Sequence, residues 1–132
     1  MRVFARIITE KFYALGYNFN FVFPNGLIIK DKDLKTRAEI DIVLENAEYI
    51  IAVEVKAKPV AGDIGHHIRR LEILRETKDA VNDKRKILGA IAGAIFSEEL
   101  KTEALDAGFY VLEQTGDTMR IKAPEAGRLR EW

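Results

Sequence analysis

Arg37 to Lys56 reads RAEIDIVLENAEYIIAVEVK, two apolar runs rich in Ile and Val that meet at Asn46-Ala47. Alternating side chains and β-branched residues predict two strands, Arg37 to Glu45 and Glu48 to Ala57, joined as a hairpin. In an extended chain successive side chains point to opposite faces. Ile40, Ile42 and Leu44 then share one face, and Glu39 and Asp41 the other. On the second strand Tyr49, Ile51, Val53 and Val55 oppose Glu54, Lys56 and Lys58. A turn at Asn46-Ala47 pairs Leu44 with Tyr49, Ile42 with Ile51 and Ile40 with Val53. The apolar sets of both strands coincide in that register, and Asp41, Glu54 and Lys56 coincide on the other face. Asp41 then faces Ala52, with Glu54 as its diagonal neighbour, at a Cβ spacing of roughly 5–8 Å.

Working outward, Arg2 to Leu15 carries Val3, Phe4, Ile7, Ile8 and Phe12 or Tyr13 at helical spacing and stops at Gly16. Phe19 to Phe23 and Leu27 to Lys30 flank Pro24-Asn25-Gly26 and read as a short hairpin. Asp63, after Pro59 and Gly62, reads as the N-cap of a helix reaching about Val81, with Ile64, Ile68, Leu71 and Leu74 inward. Ile87 to Phe96 is nearly all apolar and suits a strand covered on both faces. Ser97 caps a further helix that ends at Gly108. Strands follow at Phe109 to Glu113 and Thr118 to Lys122, and a tail packs through Leu129 and Trp132. The unit from Ile87 to Glu113 should form a parallel crossover. These elements predict a single α/β domain spanning 1–132, a mixed sheet flanked by helices.

Composition narrows the chemistry. The 132 residues contain 21 Lys plus Arg against 21 Asp plus Glu and no cysteine, which excludes disulfides and thiolate metal sites. A neutral chain lacks the basic excess of a strong non-specific nucleic-acid binder. No apolar run reaches membrane-spanning length and no secretory signal is evident, so a cytoplasmic protein with no membrane partner is expected.

Two carboxylates held together repel, and one retains its proton unless a cation intervenes. Oxygen donors without thiolate or imidazole select Mg²⁺ or Mn²⁺. An ammonium beside such an ion can orient water or offset phosphate charge, a combination suited to phosphodiester hydrolysis. A lone Glu-x-Lys on a strand is usually a solvated face. The added aspartate, the shared face and the order of elements make this one a candidate site.

Asp41 followed by Glu54-Val55-Lys56, within the order helix, three-stranded meander, helix, strand, resembles the PD-(D/E)xK nuclease superfamily over roughly Arg2 to Ile121. The resemblance implies a restriction-endonuclease-like αβββαβ core. It also implies Asp41 and Glu54 as metal ligands and Lys56 as the catalytic assistant. Glu10 on the first helix and His67 on the helix after the lysine strand are the residues expected to complete the site. Ile40 stands where the superfamily name has proline, a degenerate position. Ala38 to Ile121 is also similar to an uncharacterised nuclease-like domain that often follows a coiled coil, through Lys86-Ile87-Leu88-Gly89-Ala90, Gly108-Phe109-Tyr110-Val111 and Gln114-Thr115-Gly116-Asp117. The residues given before Ala38 carry no coiled-coil heptad pattern.

Bland roles compete at several positions. Glu39, opposite Glu54 in the expected register, is a further ligand or an edge carboxylate. His67 lies near the inward stripe and is a packed core residue or a site residue, while His66 points elsewhere. The basic stretch Arg69, Arg70, Arg75, Lys78, Lys84, Arg85 and Lys86 is interleaved with Glu72, Glu76, Asp79 and Asp83. Most of these predict helix-surface pairs, with a subset, joined by Lys58, contacting phosphates. Three functions remain: a metal-dependent nuclease acting on DNA, a catalytically inactive binding or assembly module, and a Holliday-junction-resolvase-like endonuclease working as a homodimer.

Overall fold

The structure, a computed structural model, describes residues 2–132 and side chains from residue 4 onward, so Val3 of the expected helix stripe lies outside the described side chains. Its order is α1 (Arg2–Ala14), β1 (Phe21–Phe23), β2 (Leu27–Lys30), β3 (Thr36–Ile40), β4 (Ile42–Glu45), β5 (Tyr49–Lys56), α2 (Ala61–Ala80), β6 (Lys86–Gly93), α3 (Glu98–Asp106), β7 (Tyr110–Thr115) and β8 (Thr118–Lys122). Six strands form one mixed sheet in the order β1-β4-β5-β6-β7-β8, and β2 and β3 form a separate pair. No helix among the described residues is long and apolar enough to cross a membrane.

Alternation divides the core in two. Ile42, Leu44, Ile51, Val53, Leu88, Ala90 and Ala92 face α1, where Ala5, Ile8 and Phe12 cover them. Val43, Ile50, Ala52, Ile87 and Ile91 face α2 and α3 through Ile64, Leu71, Leu74 and Leu100. β6 is buried on both faces from Ile87 to Gly93, as its apolar run requires. It pairs parallel with both β5 and β7. Ser97 Oγ accepts the Leu100 N–H at the start of α3, and Gly108 follows the helix at φ +93°.

The structure corrects the expectations at four places. The segment expected as one strand, 37–45, breaks at Asp41 into β3 and β4. Ile40 and Ile42 therefore enter different cores instead of sharing a face. The 19–23 and 27–30 segments do not pair with each other: β1 joins β4 and β2 joins β3. The β2–β3 pair is thus an arm inserted between two neighbouring strands of the main sheet. Glu39 consequently lies opposite Ile28 and not opposite Glu54.

The β4–β5 register is displaced by two residues, with Ile42 opposite Val53, Val43 opposite Ala52 and Leu44 opposite Ile51. The cause is Asn46, whose Oδ1 accepts the N–H groups of Glu48 and Tyr49 at 2.8 and 2.7 Å. That bonding makes Asn46 the first residue of the turn, so Ala47-Glu48 occupies its tip. Finally, α2 begins at Ala61 with Val60 as N-cap. Asp63 sits inside the first turn and accepts the Val60 N–H through Oδ2 at 2.7 Å. At the C-terminus Trp132 stacks on Phe109 at a centroid distance of 5.2 Å, while Leu129 stays partly exposed.

Candidate active site

The bend at Asp41 builds the site. Its Oδ2 accepts the Val55 N–H at 2.9 Å, a bond that continues the β4–β5 ladder by one rung after the backbones part. Gly26 holds the bend from outside. It adopts φ +79°, and a Cβ there would stand 1.9 Å from the Ile40 carbonyl oxygen and 2.8 Å from that of Asp41. Only glycine allows the 24–26 turn to lie against this backbone.

The Asp41 carboxylate also lies within hydrogen-bonding reach of the Glu54 carboxyl. Glu54 is 5% exposed on the α2 face of β5. Burial pushes its carboxyl up to about 7, the Asp41 charge pushes in the same direction, and Arg70 and Lys56 only partly oppose them. Burial and the neighbouring Asp41 carboxylate together keep the Glu54 carboxyl half-protonated near neutral pH.

Two cations approach from the same face. Arg70 Nη1 lies 3.2 Å from Glu54 Oε2. This is an ion pair of poor angular geometry, since the same buried nitrogen makes no hydrogen bond among the described residues. Lys56, two residues beyond Glu54 on the same side of β5, sends Nζ to Asp63 Oδ1 at 3.0 Å. The Asp63 partnership raises the Lys56 ammonium above the ordinary lysine range. Burial alone would raise the Asp63 carboxyl, but the Val60 N–H and Lys56 outweigh it and hold it low.

His67 lies beneath this group. It is fully buried, with Nε2 3.0 Å from the Ala52 carbonyl oxygen and its ring 5.4 Å from that of Phe109. A carbonyl only accepts, so Nε2 carries the proton. Burial pushes the imidazole down to about 4, against the Ala52 bond, and the ring is neutral near pH 7. His67 therefore supports strand β5 from α2 as a hydrogen-bond donor.

The structure thus gathers Asp41, Glu54 and Lys56 and sets His67 below them. It does not bring Glu10 to them: Glu10 is exposed on α1, which covers the opposite face of the sheet, in a cleft with Arg6, Thr9, Val22 and Pro24. The sequence reading missed Asp63 and Arg70 as site residues. Their signal was present, because 63, 67 and 70 follow the i, i+4, i+7 spacing of one helix face. The other basic residues of this region include surface pairs as expected, among them Arg69 with Glu72 at 3.8 Å and Arg75 with Asp79 at 3.0 Å.

Among the described residues no group of three or more His, Cys, Asp or Glu side chains converges on one point. The donor set at the site is the Asp41–Glu54 pair. Two hard oxygen donors fit an ion that retains several waters, as Mg²⁺ does. No protein-family profile, curated protein or solved structure matches the chain.

Proposed function

We propose that the chain is a metal-dependent nuclease of restriction-endonuclease-like fold, hydrolysing phosphodiester bonds of DNA. The observation that carries this reading is the Asp41–Glu54 pair, with Glu54 raised to about 7 beside an ammonium on the same strand face. Asp41 and Glu54 would hold Mg²⁺ or Mn²⁺, which when bound supplies a more acidic water and a counter-charge to the phosphate. Asp41 is held by the Val55 amide, which restricts the rotation of its carboxylate beside Glu54. Lys56, on the strand face of Glu54, would orient the attacking water or bind a phosphate oxygen. Arg70 offsets the Glu54 charge until a cation takes that role. Lys58, exposed in the link that follows β5, would extend the positive surface that a phosphate backbone follows.

A second reading is a nuclease-fold module that binds or assembles without cutting. It is favoured by the pairing of Glu54 with Arg70 and of Lys56 with Asp63, which largely satisfies the cluster's charges internally. Purified protein incubated with plasmid and branched DNA plus Mg²⁺ or Mn²⁺ separates the two. The nuclease reading expects cleavage that disappears in Asp41→Ala and Lys56→Ala. Absence of both cleavage and metal binding in the unmodified protein would leave the module.

A further inference from the structure

We infer that Asp63 is the positioning residue for the Lys56 ammonium, fixing where the lysine stands in the reaction. The inference rests on the nuclease reading above and adds to it a residue outside the Asp41–Glu54–Lys56 set. Both oxygens of the Asp63 carboxylate are engaged: Oδ2 accepts the Val60 N–H at 2.7 Å and Oδ1 meets Lys56 Nζ at 3.0 Å. One oxygen tied to backbone stops the carboxylate from rotating. The place of the other is then set by the first turn of α2, and Asp63 is only 5% exposed.

The lysine end is fixed as well. Lys56 pairs with Gly93 in the parallel β5–β6 ladder. A Cβ at Gly93 would come within 2.7 Å of the Lys56 carbonyl oxygen and 2.8 Å of the Pro59 ring. The absent side chain lets the link between β5 and α2 lie directly on β6, and the span from Lys56 to Asp63 is held at both ends.

This arrangement is more than a cap. Capping Val60 needs one carboxylate oxygen, and any hydrogen-bond acceptor of that shape would serve. Nor is it chiefly a stabilising bridge, because the Lys56 side chain is 45% exposed and such pairs contribute little. What the second oxygen does is restrict a four-carbon side chain that would otherwise sample many rotamers at a strand end. The ammonium is kept on the face that carries Glu54, at the rim of the carboxylate pair. A donor already held in place spares the reaction the entropy of ordering it, and small misplacements are costly.

Asp63→Asn separates positioning from capping. The amide oxygen can still accept the Val60 N–H, whereas its NH₂ cannot attract an ammonium. We expect thermal stability and calorimetric Mn²⁺ affinity close to the unmodified protein, an unchanged KM for DNA, and kcat reduced by about 10- to 100-fold. An unchanged kcat overturns the inference, and so does a loss of kcat accompanied by an equal loss of metal affinity or of folded protein. If the unmodified protein cuts and the variant cuts equally well, this inference fails alone. If the unmodified protein binds Mn²⁺ without cutting, the nuclease reading fails and the inference with it.

Discussion

The Asp41 side chain accepts the backbone N–H of Val55 at 2.9 Å, so the residue that offers a carboxylate to the site also closes the end of the β4–β5 ladder. The two roles respond differently to substitution. Asp41→Asn keeps an acceptor for Val55 and removes the charge that adds to the burial-driven rise of Glu54. Asp41→Ala leaves the amide without its partner. We expect Asp41→Ala to lower unfolding free energy by about 1–3 kcal/mol and Asp41→Asn to leave it nearly unchanged, with metal-dependent cleavage lost in both. Urea denaturation alongside a cleavage assay distinguishes them; equal stability of the two variants contradicts the ladder role.

Burial displaces two titrating groups in opposite senses. Glu54 is raised from 4.5 to about 7, so the folded protein retains a proton that the unfolded chain releases. Its contribution makes stability fall as pH rises from 4.5 to 7. His67 is lowered from 6.5 to about 4, so the unfolded chain takes up a proton that the folded protein refuses. Its contribution makes stability rise as pH rises from 4 to 6.5. The two displacements therefore oppose each other across their shared range. The unmodified protein should therefore show a shallow profile there. Glu54→Gln removes the falling component and should reveal a clear gain in urea midpoint from pH 4 to 6.5. A variant profile as shallow as the parent's contradicts the His67 placement.

The bend that holds Asp41 depends on Gly26. Alanine there would have to tolerate φ +79° and a Cβ 1.9 Å from the Ile40 carbonyl oxygen. Backbone must shift, and the first segment to shift is the one carrying Asp41. Gly26→Ala is expected to cost roughly 2–4 kcal/mol and to weaken Mn²⁺ binding. Gly116→Ala, also at positive φ but with no atom within 4 Å of the added Cβ, should leave metal binding intact. Calorimetric titration of both variants tests the difference.

How far the site was legible in the sequence follows from what alternation encodes. The common face of Asp41, Glu54 and Lys56 survived although the register was displaced, because a slip of two residues leaves every side chain on its original face. Alternation cannot distinguish two such registers; the turn position decides, and Asn46 set it with its own side chain. The break at Asp41 was hidden for a related reason. Glu39-Ile40-Asp41-Ile42 keeps its apolar–polar alternation straight through the bend, while the backbone turns the next apolar residue to the other core. Asp63 and Arg70 were seen as a helix cap and a surface cation, since sequence alone does not say which helix face the end of β5 will meet. The separate β2–β3 arm had no local signal at all, because Pro24-Asn25-Gly26 marks a turn without saying which strands it joins.

Cation binding at the Asp41–Glu54 pair should be coupled to release of the Glu54 proton. Below about 7 the carboxyl of Glu54 is largely neutral, and a divalent ion must displace that proton before both carboxylates can act as ligands. Apparent Mn²⁺ affinity should then climb up to about tenfold per pH unit between pH 5.5 and 7 and level off above pH 8. Calorimetry in buffers of differing ionisation enthalpy should register close to one proton released per ion at pH 6 and little at pH 8.5. Glu54→Gln should bind weakly with no such slope, since its amide has no proton to lose in this range. His67 does not account for a slope there, because its transition lies near 4 and its ring is already neutral. Tight binding in the unmodified protein with no dependence on pH would mean that the ion is held without Glu54, and the two-carboxylate site would have to be abandoned.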